Sequence, residues 1–445
     1  MIETIFAAYA IVALSLFRFV APSRAVAITC FAGWLVLPVG NFPAGSTGTI
    51  FPYWITGAAV PSDMLLTKMW WPPVVALVGA LSVHRKTLMR WRPEWADAPI
   101  VMWCLWPIGQ WPLVENPDPQ PWIASLYLSA SWGAPWLLGR IYFCGTSGRR
   151  LIASIVASLV ALVPIALLEG AFGPMLYEWF YGLHPFRLDG VQRYIGFRPL
   201  GFFEDGNQYG IWVAVTALAA VWFWRTMPDT PSRGRLLAAV IVSVAIALLS
   251  QSLGAILLLC AGLALSSTIG RRLTRWALPT LLIIIVFLGE IYLSGRVPLR
   301  GFAENTSIGR QMVEIIRSSG RGSLIWRIAR DQTALPLILT HPVVGTSQWD
   351  WWRKNGERPW GLAVLILGQF GLIGFALAFG SLLIPALREL LIKEHSNALH
   401  SYPALPLAVI VLMASADALL NSFFFYPAIL AAGALTPCHE FGRHS

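Results

Sequence analysis

The chain has 445 residues, of which 56% are hydrophobic and 12% charged, and its mean hydropathy is +0.63. A soluble domain carries about 25% charged residues, so this sequence has too little polar surface to coat a globule in water, which excludes a soluble enzyme, a disordered chain and a fibrous protein. Net charge is +10, from 32 Lys+Arg against 22 Asp+Glu; in so apolar a chain these charges read first as orientation signals rather than as a nucleic-acid footprint. The five cysteines, Cys30, Cys104, Cys144, Cys260 and Cys438, are scattered without a CxxC pair, so neither a disulfide framework nor a zinc site is expected.

A bilayer core about 30 Å thick takes roughly 20 apolar residues per helix. Runs of this kind fall near 3–20, 25–40, 64–83, 98–113, 122–139, 151–169, 208–224, 236–250, 253–269, 277–294, 361–387, 403–420 and 425–437. With the first and last the weakest, an all-α polytopic membrane protein of about 12 or 13 transmembrane helices is expected. The first run has an acid and no basic residue before it, unlike a cleaved leader, so it is expected to be retained. The chain divides into N-terminal helices over 1–169, a first extracytoplasmic loop with central helices over 170–294, a large helical extracytoplasmic loop over 295–360, and C-terminal helices over 361–445.

The short connections alternate in charge. One set carries Arg18 and Arg24, then Arg85, Lys86, Arg90 and Arg92, then Arg140, Arg149 and Arg150, then Arg225, Arg233 and Arg235, then Arg271, Arg272 and Arg275, then Arg388 and Lys393; the other, near 41–63, 114–121, 250–253 and 421–424, has no Lys or Arg. The positive-inside rule makes the first set cytoplasmic, with the N-terminus outside and the tail inside. Two long outward connections break the pattern: 170–207 and 295–360 together hold 13 basic residues, 12 of them Arg. Long loops escape the rule. Arginines there read either as a site for an anionic ligand, whose oxygens a guanidinium fork matches, or as a solvated loop near lipid headgroups. The 22 tryptophans, among them Trp70, Trp71, Trp91, Trp95, Trp349, Trp351 and Trp352 beside span ends, read as an interfacial belt or, over 349–352, as a sugar-stacking platform.

Within the large loop, Asn305 or Thr306 can start a helix that Ser319-Gly320 interrupts. Arg310, Arg317 and Arg321 share one face of it, and a second helix after Gly322 carries Arg327 and Arg330, with Asp331 four residues after Arg327 as an ion-pair partner. The whole reads as an amphipathic cap whose apolar face rests on the other helices or on the membrane surface. His341-Pro342-Val343-Val344-Gly345 is a turn; its histidine is either a base or a turn residue.

The outward segment Arg198-Pro199-Leu200-Gly201-Phe202-Phe203-Glu204-Asp205-Gly206-Asn207-Gln208-Tyr209-Gly210 resembles the arginine-to-asparagine signature of the O-antigen ligase and polysaccharide polymerase superfamily. Ser319-Gly320-Arg321 with Trp326, the 341–345 turn, the run LGQFGLIGF at 367–375 and the SQSLGA turn at 250–255 are similar in order and placement over about 200–380. The resemblance implies a C-type membrane glycosyltransferase of the bacterial plasma membrane. Such an enzyme moves glycan from an undecaprenyl-pyrophosphate donor to a glycan or lipid acceptor on the outer side, with no metal and no cofactor. It implies that Arg198 and Arg321 hold the pyrophosphate, with substrate contacts from Arg327, Arg330, Arg358, Asn207 and Trp351. The expected cavity is walled by spans near 208–224 and 361–387 and roofed by 303–345. Two departures stand out: where ligases of the family carry a histidine before the span after the large loop, this chain has Glu357-Arg358-Pro359-Trp360-Gly361, and Leu253 replaces an arginine. The missing histidine favours a polymerase over a ligase. It leaves the base to Glu357, which can equally pair with Arg353 or Arg358, or to His341. A transporter of lipid-linked oligosaccharide is the rival class and would place ionisable groups at mid-membrane, where Lys68 and Asp417 are the deepest in the expected spans; a non-catalytic assembly factor is a further one.

Overall fold

The computed structural model describes residues 1–40, 66–89, 91–117, 120–185, 192–193, 195–227, 232–267, 289, 291–292, 301, 303, 305–318, 322–353, 358–392, 403–422 and 425–437. Helices dominate: α1 Ile2–Phe19, α2 Pro22–Val36, α3 Trp71–Met89, α4 Ala98–Gln110, α5 Pro121–Leu128, α6 Ala134–Tyr142, α7 Gly148–Ala157, α8 Leu159–Phe172, α9 Leu176–Tyr181, α10 Gly206–Thr226, α11 Arg233–Leu249, α12 Leu253–Ser266, α13 Ser307–Ser318, α14 Gly322–Ile338, α15 Leu362–Ile392, α16 Ala404–Asp417 and α17 Tyr426–Leu435. The described strands are a two-residue antiparallel pair, Gln192–Arg193 with Gly196–Phe197. Three described helices are long and apolar enough to cross a membrane, Ile2–Phe19, Gly145–Phe172 and Leu362–Leu391, and α2, α12, α16 and α17 are shorter apolar helices.

Helix α10 sits at the centre. It has no proline, its glycines are confined to the first turn, and 16 of its residues, from Gly206 to Phe223, are buried; a helix apolar all round belongs inside a bundle. Around it α2, α3, α6, α15, α16 and α17 share one core. Many tryptophans belong to this core rather than to a belt. Trp34, Trp103, Trp132 and Trp212 are buried, as are Trp70, Trp351 and Trp352, whereas Trp95 is exposed. Trp34 meets Phe203, Trp212, Phe425 and Tyr426 at centroid distances of 5.0–6.2 Å.

Buried charge gathers at both ends of the bundle. At one end Arg140 pairs with Asp97 at 2.9 Å and Glu94 at 3.1 Å and also donates to the Thr436 and Pro437 carbonyls. Arg140, one of the basic residues expected in a solvated connection, is therefore a structural ion-pair partner. Cys30, Cys104 and Cys260 are free, but Cys144, near Arg140, is disulfide-bonded, against the expectation from cysteine spacing.

The amphipathic reading of the large loop holds for its described helices. Thr306 Oγ1 accepts the Gly309 N–H at 2.9 Å and starts α13, and α14 begins at Gly322; the interruption expected at Ser319-Gly320 lies outside the described residues. The apolar face of α13, Ile308, Met312 and Ile315, is exposed and does not rest on the other helices. Helix α14 instead buries Ala334, Leu335 and Ile338 against Val364, Leu365 and Leu367 of α15, together with Trp351 and Trp352.

Helix α15 is broken at Gly371, which takes φ +66° and ψ −172°, a conformation essentially reserved for glycine. The 341–345 turn fills the break. Leu372 N–H donates to the Pro342 carbonyl at 2.9 Å and Ile373 N–H to Val343 at 3.1 Å, while Thr346 and Ser347 N–H groups donate to Gly368 and Gln369 at 3.0 and 2.8 Å. Gln110 reaches the Val344 and Gln369 carbonyls and Trp106 the Phe370 carbonyl. The backbone groups freed by the break are thus re-paired, as an interrupted helix in an apolar surrounding requires. Two stretches that read separately in the sequence, HPVVG and LGQFGLIGF, form one lock.

Candidate functional site

The other end of the bundle is built on the 198–208 segment, which is pinned along its length. Glu169, buried at the end of α8, accepts the Leu176, Leu200 and Gly201 N–H groups at 3.1, 2.7 and 2.6 Å. Lys68 donates to the Phe202 carbonyl at 2.6 Å and the Trp34 carbonyl at 3.4 Å, with its ammonium 4.5 Å from the Phe203 ring centre. Asp205 caps α10 through Oδ1, which accepts the Asn207 and Gln208 N–H groups at 2.8 Å each; an acidic N-cap satisfies donors that the first helical turn leaves open.

On this frame Arg198 is buried, with 5% exposure. Its Nε donates to the Ser250 carbonyl and its Nη2 to Asn207 Oδ1, both at 2.9 Å. The guanidinium lies on Gly206, where any Cβ would overlap it, and a Cβ on Gly210 would strike Ser252 at 2.5 Å. The 198–210 and 250–255 stretches are therefore one assembly, joined through Arg198, and the missing side chains at Gly206 and Gly210 permit the close approach.

A second assembly stands on α14, α15 and the turn after α16. Arg327 Nη1 donates to Asn421 Oδ1 at 2.7 Å and approaches the Leu420 carbonyl at 3.5 Å. The ion pair expected between Arg327 and Asp331 does not form. Asp331 accepts the Trp360 N–H, the Gly361 N–H at 3.1 Å and the Tyr292 hydroxyl at 2.7 Å, so it ties the large loop to the start of α15. Arg358 is buried and donates to Ser422 Oγ at 2.8 Å. Asn421 Nδ2 donates to Asp417 Oδ1 at 2.8 Å. Arg327 and Arg358 lie 5.7 and 5.5 Å from the Trp360 ring, Trp360 meets Trp326 at 5.1 Å, and Arg330 lies 4.5 Å from Trp326.

Glu204 joins the two assemblies through its electrostatic field. Burial raises its carboxyl above the usual range, Lys68 and Arg358 pull it down, and Asp205 pushes it up. Burial likewise raises Asp331, opposed by its hydrogen bonds and by Arg358. The same burial works against the Arg358 charge, which Glu204 and Asp331 sustain.

Of the residues singled out in the sequence, Arg198, Asn207, Arg327 and Arg358 belong to these assemblies, and Arg330 stacks beside them. Trp351 is buried against Gly368 of α15, and the half-exposed tryptophan nearby is Trp349, with Arg353 5.1 Å from its ring. His341 has an exposed side chain, and its carbonyl closes the 341–345 turn by accepting the Gly345 N–H at 2.9 Å. Arg321 and Glu357 lie outside the described residues. Lys68 was marked in the sequence only as one of the two deepest ionisable residues of the expected spans, and Glu204 only as part of the family-like segment; neither had a site role, although no other Lys or Arg occurs from residue 25 to residue 84. Both Lys68 and Asp417 stand at helix ends, before α3 and closing α16. A cavity of about 30 Å³ between α10, α15, α16 and α17, with Asp417 at its wall, has no lining from 303–345 among the described residues and is large enough for waters but too small for a sugar. Among the described residues no group of three or more His, Cys, Asp or Glu side chains is arranged to hold a metal ion.

The arrangement can hold an anion. The hydrogen bonds quoted for Lys68, Arg198, Arg327 and Arg358 run to carbonyl, amide or hydroxyl oxygens, whereas Glu169, Asp205 and Asp331 bind backbone N–H groups. No protein-family model matches the chain, and no curated protein matches it in sequence.

Proposed function

We propose that the chain is a multi-pass protein of the bacterial plasma membrane that transfers glycan from undecaprenyl pyrophosphate to an acceptor hydroxyl at the membrane's outer face, as a polymerase. The observation that carries this reading is two guanidinium-bearing assemblies that share the field of Glu204: Arg198 where the 198–210 and 250–255 stretches meet, and Arg327 with Arg358 beside the turn after α16. Departure of a glycosyl pyrophosphate is helped most by preorganised positive charge, and a pyrophosphate held at a bilayer surface costs several kcal/mol if unpaired. Arg198, Arg327 and Arg358 supply that charge here, and Arg321 is assigned to the same ligand from the resemblance. Helix α13 lies in the outer interface with Ile308, Met312 and Ile315 in the acyl region.

Orientation follows the arginines of the short connections, which place the Arg140 end in the cytoplasm. The Cys144 disulfide points the other way, because disulfides persist in oxidising compartments. The many short-loop arginines outweigh one sulfur pair, and labelling of a cysteine introduced at Gln348 from outside the cell decides the matter. A transporter fits less well, since Lys68 and Asp417 stand at the ends of described helices rather than within them.

The test is the lipid-linked glycan that accumulates in cells lacking the chain. Accumulated single repeats mean a polymerase. Long finished polymers mean a ligase, and unchanged outward polymer synthesis removes glycan transfer from consideration.

A further inference from the structure

We propose that Glu204 is the proton acceptor for the incoming hydroxyl, a role that rests on the transfer reading above. Glu204 is 7% exposed, and its Oε1 is buried without a hydrogen-bond partner among the described residues. A buried acceptor left unsatisfied forfeits its hydration without a compensating bond, and such an atom in a folded protein asks for an explanation. The neighbouring acids are already engaged. Asp205 caps α10, Asp331 is taken by Trp360, Gly361 and Tyr292, Glu169 by three N–H groups, and Asp417 by Asn421. Among the described acids at this end, Glu204 is the one with a fully buried oxygen that has no hydrogen-bond partner.

Its placement suits the role. Glu204 follows Arg198 by six positions in the one segment that Glu169, Lys68 and Asp205 hold rigid, so the group that faces the leaving pyrophosphate and the group that faces the acceptor are fixed to the same frame. Gln208 holds the residue, its Oε1 accepting the Glu204 N–H at 2.9 Å and its side chain hydrogen-bonding the carboxylate. The charged groups around the carboxylate are Lys68 before α3, Asp205 on its own segment and Arg358 before α15. Burial raises its carboxyl to about 8 while the two cations pull it back toward ionisation, which makes it more basic than a solvated glutamate, as a base working near neutral pH requires.

The step balances as a single displacement. The acceptor oxygen forms the new bond to the anomeric carbon, the bond from that carbon to the pyrophosphate oxygen breaks and its electron pair leaves with undecaprenyl pyrophosphate, and the acceptor proton passes to Glu204 Oε1. The proton returns to water once the product departs.

The test uses the full chain in proteoliposomes, with lipid-linked glycan extracted from cells that lack it as donor and acceptor, and measures transfer together with binding of undecaprenyl pyrophosphate by thermal shift. Glu204→Gln should lower kcat by about 100-fold or more while leaving the pyrophosphate-induced shift intact; Glu204→Asp should keep part of the rate. The wild-type rate should rise with pH through an apparent pKa above the usual glutamate value of about 4.3. A Glu204→Gln protein with wild-type kcat, beside an inactive Arg198→Ala, overturns the assignment and leaves the transfer reading standing. Parallel loss of binding and rate in Glu204→Gln makes the residue a structural counter-ion and also overturns it. Absence of transfer by the wild type defeats the transfer reading and this role with it.

Discussion

Arg198 reaches its two acceptors with two different nitrogens, and that geometry sets what its replacement should cost. Nε lies 2.9 Å from the Ser250 carbonyl and Nη2 2.9 Å from Asn207 Oδ1. Lysine keeps the charge but has a single ammonium on a flexible stem, so it cannot span both acceptors as a planar fork does. Arg198→Lys therefore loses at least one hydrogen bond from a charged donor, about 1.5–3 kcal/mol. Asn207→Ala removes the same Nη2 bond from the other side. If the bond is intact in the folded protein, the double replacement costs less than the sum of the single ones, and the coupling between the positions is about 1.5–3 kcal/mol. The measurement is a double-mutant cycle on unfolding in detergent, with transfer rates in parallel. At about 1.4 kcal/mol per tenfold, a loss of this size in the transition state lowers the Arg198→Lys rate at least about tenfold. Additive costs within about 0.5 kcal/mol would show that Arg198 and Asn207 do not act as one unit, and the bond between Arg198 Nη2 and Asn207 would have to be abandoned as an organising contact.

Gly371→Ala must force a side chain into a glycine-only conformation and against the Val343 carbonyl; it should destabilise by about 3 kcal/mol or more, read as a lower Tm, while Gly380→Ala in the same helix, where a Cβ meets only Ile384 at 3.6 Å, should stay within about 1 kcal/mol of the wild type. Spin labels placed singly at Ile308, Met312 and Ile315 in liposomes should be relaxed by oxygen and shielded from a water-soluble nickel chelate, with labels at Arg310 and Glu314 behaving oppositely; equal access on both faces would remove α13 from the lipid surface. Transfer activity should survive EDTA, and loss restored by a divalent ion would reopen Glu204, Asp205 and Asp350 as metal ligands.

The sequence made local features legible and tertiary ones opaque. The capped start of α13 and the turn at 341–345 follow from residue types at short range, and the structure contains both. The resemblance likewise singled out Arg198 and Asn207, and these sit together. Arg327 and Asp331 show where short-range reasoning fails. Their spacing is right for an ion pair on one helix, yet Asp331 turns to the N–H groups of Trp360 and Gly361, thirty residues away in the fold's closure rather than in its helix. The break at Gly371 was hidden because LGQFGLIGF reads as an unbroken apolar run, and only the docked 341–345 turn reveals why the helix can stop there. Tryptophan position near span ends gave a belt, but packing against Phe203, Trp212 and Phe425 puts Trp34 in the core, and no local pattern distinguishes the two. Lys68 and Glu204 escaped for the same reason: a buried ion is defined by what surrounds it.

The two ends of the bundle use buried charge in opposite ways, and the contrast bears on function. At the Arg140 end the guanidinium meets two carboxylates directly, at 2.9 and 3.1 Å, so the charge is cancelled where it sits. Removing one partner of such a pair costs about 3–5 kcal/mol because the other is left buried and unpaired; an arrangement of that kind fastens helices and has nothing left to offer a ligand. At the Arg198 end the guanidinium is aimed by a carbonyl and an amide, and Asp205 beside it is turned toward the helix N-terminus. The Ser250 and Asn207 contacts aim Arg198 without using a carboxylate, and a guanidinium so aimed is preorganised for an anion. Under the transfer reading proposed above that anion is a pyrophosphate, whose negative charge grows as the glycosyl bond breaks. The attraction is therefore stronger at the transition state than in the resting complex, which is the condition for charge stabilisation to accelerate a reaction rather than merely to bind its substrate.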